Sequence, residues 1–170
     1  MRLVGPRSRM VPAARLSSVG QAVEVATFVP TDQPAVRELI LDYLADRFGG
    51  LDATLNRDLD DIAASYADGH IVVARSEGRV VGVGILVAGA DQDSEIKRMC
   101  VARGARRQGV GTQILRALIE HARGSGVKRI DLYTATSWDD AVSFYAGAGF
   151  TVARYEQTMF TFDAVFTMAL

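Results

Sequence analysis

The sequence predicts an α/β (α+β) domain with one mixed, mostly antiparallel central sheet of about six to seven strands, flanked by about four helices. Three observations carry that reading. Between His70 and Val101 the apolar residues recur every second position, with turns between the runs, as in an antiparallel meander. Directly after it, Val110 to Arg123 switches to helical spacing and leads into a strand at Arg129. A strand–helix–strand crossover needs one parallel pairing, so the sheet must be mixed.

Taken in order, Val23 to Val29 is β-branched and weakly alternating, a first strand stopped by Pro30. Thr31 and Asp32 offer an N-cap and Pro34 suits a first helical turn; Val36, Leu39, Ile40, Tyr43 and Leu44 follow at helical spacing. Gly49 and Gly50 end that helix. A weaker helix is expected from about Asn56 to Ala67, with Leu59, Ile62, Ala63 and Tyr66 inward. His70 to Arg75 and Arg79 to Ala88 form a hairpin in which Gly82 and Gly84 permit a bulge or a close backbone approach. Ser94 to Val101 completes the meander. After the helix from Val110, a strand runs from Arg129 to Thr134, and Asp139 or Asp140 caps a helix through Ala148. Phe150 to Tyr155 and Phe160 to Met168 are the last strands.

The 170 residues fit one domain, expected at residues 23–170, with an ordinary apolar share of 49%. A net charge of -1 gives no basic face for nucleic acid. One cysteine, Cys100, excludes an internal disulfide and a cysteine-based zinc cluster; no metal is expected and a reducing, cytoplasmic compartment is the simplest reading. No apolar run approaches the ~18 residues of a membrane span. Residues 1–22 carry Arg2, Arg7, Arg9 and Arg15 without an acid, and are expected to form a disordered basic tail rather than a targeting leader.

The segment Arg106-Arg107-Gln108-Gly109-Val110-Gly111 stands between a strand and the most regular helix. A helix start presents unpaired N–H groups and partial positive charge. Gly109 and Gly111 would let a phosphate approach them, Arg106 and Arg107 add charge, and Thr112 adds a hydroxyl. The dinucleotide pattern fails at Ile114 and no Gly-Lys-Ser/Thr occurs. By itself the segment also fits a glycine-containing loop with a solvated arginine pair, though less well.

In context it resembles the R/Q-x-x-G-x-G/A signature of the GNAT superfamily of N-acetyltransferases. Glu95-Ile96-Lys97-Arg98-Met99-Cys100-Val101 resembles the family's preceding strand, and Phe144-Tyr145-Ala146-Gly147-Ala148-Gly149-Phe150 resembles its later F-Y-x-x-x-G-F segment, in the right order. The resemblance implies the GNAT-like fold and acetyl-CoA as co-substrate. It implies that main-chain groups of Met99, Cys100 and Val101 pair with the pantetheine arm, an N–H near Met99 holding the thioester oxygen. Arg106, Arg107, Gln108, Gly109, Val110 and Gly111 would wrap the pyrophosphate.

The implied reaction moves an acetyl group to a primary amine of a small molecule, an amino acid or related amine, by direct attack through a tetrahedral intermediate. Tyr145 is the candidate acid, with core packing beside Phe144 and Phe150 as its other reading. Glu95 is the candidate base, six residues before Val101; it could instead pair with Lys97 or Arg98, leaving the proton to water. His70, His121 and Cys100 are expected to be structural, and Asp58-Leu59-Asp60-Asp61 a solvated helix face. Tyr43, Phe48, Leu51, Tyr66 and Trp138 are expected around the acceptor. Strand alternation puts Lys97 and Arg98 on opposite faces, so only one could meet an acceptor carboxylate. Where relatives often carry an asparagine that helps bind CoA, this chain has Thr136, Ser137 and Trp138. A homodimer through the final strands is a further expectation from the resemblance. The competing class is a non-catalytic acyl-CoA-binding module acting as sensor or regulator.

Overall fold

The computed structural model describes residues 22–50 and 53–170. The tail up to Gln21 and the acceptor-pocket candidate Leu51 lie outside the described residues. The elements run β1 (Val23–Thr27), α1 (Gln33–Phe48), α2 (Ile62–Ser65), β2 (His70–Ser76), β3 (Arg79–Ala88), β4 (Asp93–Val101), α3 (Val110–Gly124), β5 (Arg129–Ala135), α4 (Asp139–Gly147), β6 (Thr151–Gln157) and β7 (Phe162–Ala169). The seven strands form one sheet in the order β1-β2-β3-β4-β5-β7-β6. Every pairing is antiparallel except β4 with β5. That single parallel pair is the one the crossover through α3 requires.

Two apolar clusters lie on opposite faces of the sheet. On one face α3 contributes Val110, Ile114, Leu115 and Leu118 against Val72, Leu86 and Ile96. On the other, Val36, Leu39 and Ile40 of α1 pack with Ile71, Val73, Val83 and Ile85. The helical and two-residue spacings in the sequence sort these residues correctly. Gly82 and Gly84 let α3 sit close: a Cβ on Gly84 would fall 2.8 Å from Ile114 Cγ2 and 3.0 Å from the Leu118 side chain.

Three local expectations change. Asp32 precedes α1 without capping it: its carboxylate accepts from the Val29 N–H at 2.9 Å and pairs with the Arg75 guanidinium at 2.6 Å. The helix expected over Asn56 to Ala67 is instead a 3₁₀ turn at Arg57–Leu59 followed by the short α2. Asp61 restarts the chain by capping Ala64 N–H at 2.9 Å, a local side-chain bond that competes with a continuous helix. The acidic run is therefore not one solvated face, because Asp58 turns inward to Arg98.

The β4–β5 ladder covers only Asp93–Ile96 against Arg129–Leu132. Beyond it the strands diverge, and Lys97 to Val101 has a partner on the β3 side alone. At the start of this opening β4 carries a bulge: Arg98 and Met99 together oppose Gly84, and Arg98 has φ +50°. A bulge bends its strand and increases local twist, which turns the end of β4 away from β5.

No helix among the described residues is long and apolar enough to cross a membrane. The final hairpin exposes Val152, Tyr155, Met159, Phe160 and Phe162.

Candidate active site

The opening between β4 and β5 is occupied by two cavities that share Tyr43, Met99, Cys100, Ala141 and Tyr145. The larger, about 640 Å³, runs from the turn before α3 toward α4. The smaller, about 380 Å³, lies under α1 and the segment containing Asp58 and Tyr66. One narrow meeting point between two voids suits two reactants entering from opposite sides.

At the far end of the larger cavity stands the start of α3. Gly109 precedes the helix with φ +79°, a conformation natural only to glycine, and no side chain caps it. Among the described residues the N–H groups of Gly109, Val110, Gly111 and Thr112 have no acceptor within the chain; the first internal bond is Gln113 N–H to Gly109 O at 3.0 Å. These free donors open on the cavity because Gly109 and Gly111 line it without side chains. A Cβ on Gly111 would touch Phe144 at 3.5 Å, an ordinary contact, so only a larger side chain would fill the space.

The flanking residues divide. Arg107 and Thr112 line the cavity. Arg106 also lines it, but its Nε donates to Val101 O at 3.0 Å, its Nη1 lies 3.5 Å from Asp46, and its guanidinium sits 5.3 Å from the Tyr43 ring. Arg106 thus ties the end of β4 to α1. The Gln108 side chain donates to Gly104 O at 2.8 Å, and Val110 is buried in the core. Of the β4 residues, Met99, Cys100 and Val101 all line the larger cavity.

Tyr145 stands at the meeting point. It is 8% exposed and packs edge-on against Phe144 and Phe150, so the core contacts are real as well. Burial pushes its phenol well above the ordinary tyrosine range, with Tyr43 and Cys100 adding to the effect. It keeps its proton at neutral pH and can donate a hydrogen bond. Cys100 is buried, its thiol pushed up to about 12 by desolvation, which leaves it an inert group.

Glu95 lines the smaller cavity, about one-third exposed, with Lys97 Nζ 3.4 Å from its carboxylate. Glu95 and Lys97 lie opposite Val87 and Ile85, on the α1 face. Arg98 is on that face too, contrary to simple alternation: its Nε and Nη2 donate to Asp58 at 2.9 and 2.7 Å, and its Nη1 to Asn56 at 3.0 Å. The bulge at Arg98 adds the residue that reverses the parity. Tyr66 completes the group by donating its hydroxyl to Asp58 at 2.5 Å.

Sequence reading overlooked one cluster. Arg47 at the end of α1 forks onto the Asp140 carboxylate at 2.8 and 2.6 Å, with its guanidinium 5.2 Å from the Tyr43 ring and 5.0 Å from Trp138. Trp138 packs on Phe48 as well, at 5.3 Å. Tyr43 and Trp138 line the smaller cavity, Arg47 and Asp140 the larger; Phe48 stays on the outer side, 46% exposed. The aromatic and charged residue types were visible, but nothing local pairs positions so far apart in the chain. His70 and His121 stack on each other at 3.6 Å and line neither cavity. Among the described residues no group of His, Cys, Asp and Glu could hold a metal.

Comparison with known proteins agrees with this architecture. Residues 34–150 match the family model described as the acetyltransferase (GNAT) family. The chain is 33% identical over 122 residues to the IAA acetyltransferase of Azospirillum brasilense, covering 69% of this chain and 78% of that one. It is 32% identical over 103 residues to the N-acetyltransferase family 8 member 2 of Rattus norvegicus, covering 56% of this chain and 46% of the relative. It spans about half the length of the first curated relatives it matches. The solved PaiA N-acetyltransferase of Thermoplasma acidophilum, in complex with coenzyme A, shares the fold with a TM-score of 0.74 at 16% identity, over 88% of this chain and 99% of that one. With its mixed seven-stranded sheet, its glycine-lined helix start and a family match over most of its length, the chain belongs to the GNAT acetyltransferase family.

Proposed function

We propose that this protein transfers an acetyl group from acetyl-CoA to a primary amine of a small molecule. The observation that carries the reading is the open start of α3: unpaired amides beside two glycines, at one end of a cavity that reaches Tyr145. Such donors suit a diphosphate, and the divergence of β4 from β5 leaves an extended edge for the pantetheine arm. Family membership and the coenzyme A held by a fold relative support the donor.

In this reading the acceptor nitrogen, from the smaller cavity, attacks the thioester carbonyl carbon. A C–N bond forms, and a main-chain N–H near Met99 receives the developing oxyanion. The amine proton passes to Glu95, directly or through water. Collapse breaks the C–S bond, Tyr145 donates a hydrogen bond to the departing thiolate, and the thiolate takes its proton from water. The high pKa direction of Tyr145 favours that hydrogen bond over complete proton transfer from the phenol itself.

Calorimetry with CoA tests the cradle. Gly111→Ala should bind within a few-fold of the parent, because its Cβ makes only ordinary contacts. Gly111→Trp should lose at least ~100-fold in affinity, about 2.7 kcal/mol, while its melting temperature stays close to that of the parent. Full affinity in Gly111→Trp removes the cradle. Tight CoA binding with no thiol released from acetyl-CoA by any amine identifies the alternative, a binding module.

A further inference from the structure

Building on the acetyl-transfer reading, we propose that the acceptor is a free α-amino acid, its carboxylate held by Lys97 and Arg98 and its amine presented beside Glu95.

The bulge is the first support. It places two successive cations, Lys97 and Arg98, on the same wall of the smaller cavity. A non-glycine residue at φ +50° is uncommon, and such conformations persist where surrounding contacts hold them. Here Asp58 and Asn56 hold it.

Neither cation is fully used. Arg98 donates its Nε–H and one hydrogen on each terminal nitrogen to Asp58 and Asn56 and also meets the Tyr66 hydroxyl, so that of its five N–H donors at most one remains for a ligand beyond these partners. Lys97 is 43% exposed and makes one ion pair, at 3.4 Å. A carboxylate can accept from both without breaking the existing bonds.

The charge pattern selects the rest of the ligand. The wall carries two acids, Asp58 and Glu95, and two bases, Lys97 and Arg98, so its net charge is zero. A polyamine would find no net negative field there, and an acid without an amine would leave Glu95 unused. An α-amino acid bears its amine and its carboxylate on one carbon. It can therefore lie across the adjacent Glu95–Lys97 pair with opposite charges facing. Apart from Thr134, the remaining lining, including Ile40, Leu44, Tyr66 and Trp138, is apolar or aromatic and suits an apolar side chain. At about 380 Å³ the space is at the lower end of the usual ligand range, roughly 300–1,000 Å³.

Thiol release from acetyl-CoA is to be measured with L-leucine and L-phenylalanine, with their amides, with isoamylamine and phenethylamine, with spermidine, and with a peptide beginning in leucine. The free amino acids should exceed their amides and decarboxylated amines in kcat/KM by at least ~10-fold, with the difference mainly in KM. Lys97→Gln should reduce that ratio at least ~5-fold through KM, and Lys97→Arg should restore most of it. Lys97 is the chosen position because Arg98 also braces Asp58. Equal or better turnover of the amides, spermidine or the peptide overturns the acceptor class while leaving acetyl transfer standing. An unchanged ratio in Lys97→Gln also overturns it. Thiol release with none of the amines, in protein shown to bind CoA, instead refutes the underlying acetyl-transfer reading and the proposal with it.

Discussion

At the scale of single residues, the site depends on side chains whose neighbours set their state. Tyr145 is enclosed by Phe144, Phe150 and Phe166, and burial there raises its phenol above the ordinary tyrosine range. Tyr145→Phe preserves the ring contacts and removes only the donor. It should lower kcat about 10²-fold with little change in the KM for acetyl-CoA, the pattern of an interaction made in the transition state. Parent-like kcat under conditions where chemistry limits the rate would leave the tyrosine as core packing. Glu95, Met99, Cys100, Tyr145 and the glycines Gly109 and Gly111, all named by order and motif, line one or both cavities. Arg98 was misread because alternation assumes an unbroken pleat, and an arginine at positive φ has no sequence signature. Arg106 and Gln108 were placed at the pyrophosphate by position; what the sequence did not show is that their side chains also bond to Val101 O and Gly104 O.

At the scale of elements, β2 to β4 and α3 followed from their periods, because each buries one regular face. The segment before β2 did not, because Asp58, Asp61 and the Gln33 side chain all bond to the backbone or to distant partners there. Gln33 donates to Leu59 O and accepts from Ile62 N–H, both at 2.9 Å, so α1 fixes the turn from outside. The seat of α3 gives a prediction. Gly84→Val would drive its side chain into Ile114 and Leu118. It should destabilise the fold by about 1–3 kcal/mol, read by denaturant unfolding, and weaken CoA binding as the helix start shifts. A variant as stable as the parent would mean that α3 does not depend on that close approach.

At the scale of the whole molecule, stability should depend on the stacked His70–His121 pair. Burial, then the neighbouring His121, lowers the pKa of His70 below its ordinary value. The unfolded chain therefore takes up the proton first as pH falls. Stability is fully present above about pH 6.5 and declines as pH falls toward the lower folded value. Thermal melts from pH 7.5 to 5 should show this decline, and His121→Gln should make it shallower. Identical slopes would assign the acid sensitivity to other groups.

The short β4–β5 ladder has a mechanical consequence. Among the described residues the backbone joins the two parts of the sheet across this seam through four register pairs and the adjoining Lys128 N–H bond to Gln92 O, although each part is well laddered internally. A donor laid along the edge from Lys97 to Val101 would then act as an inserted strand, replacing inter-strand bonds that the protein itself omits. Substrate occupancy would couple directly to the rigidity of the sheet, and amide exchange along this edge would slow on binding before any chemistry occurs.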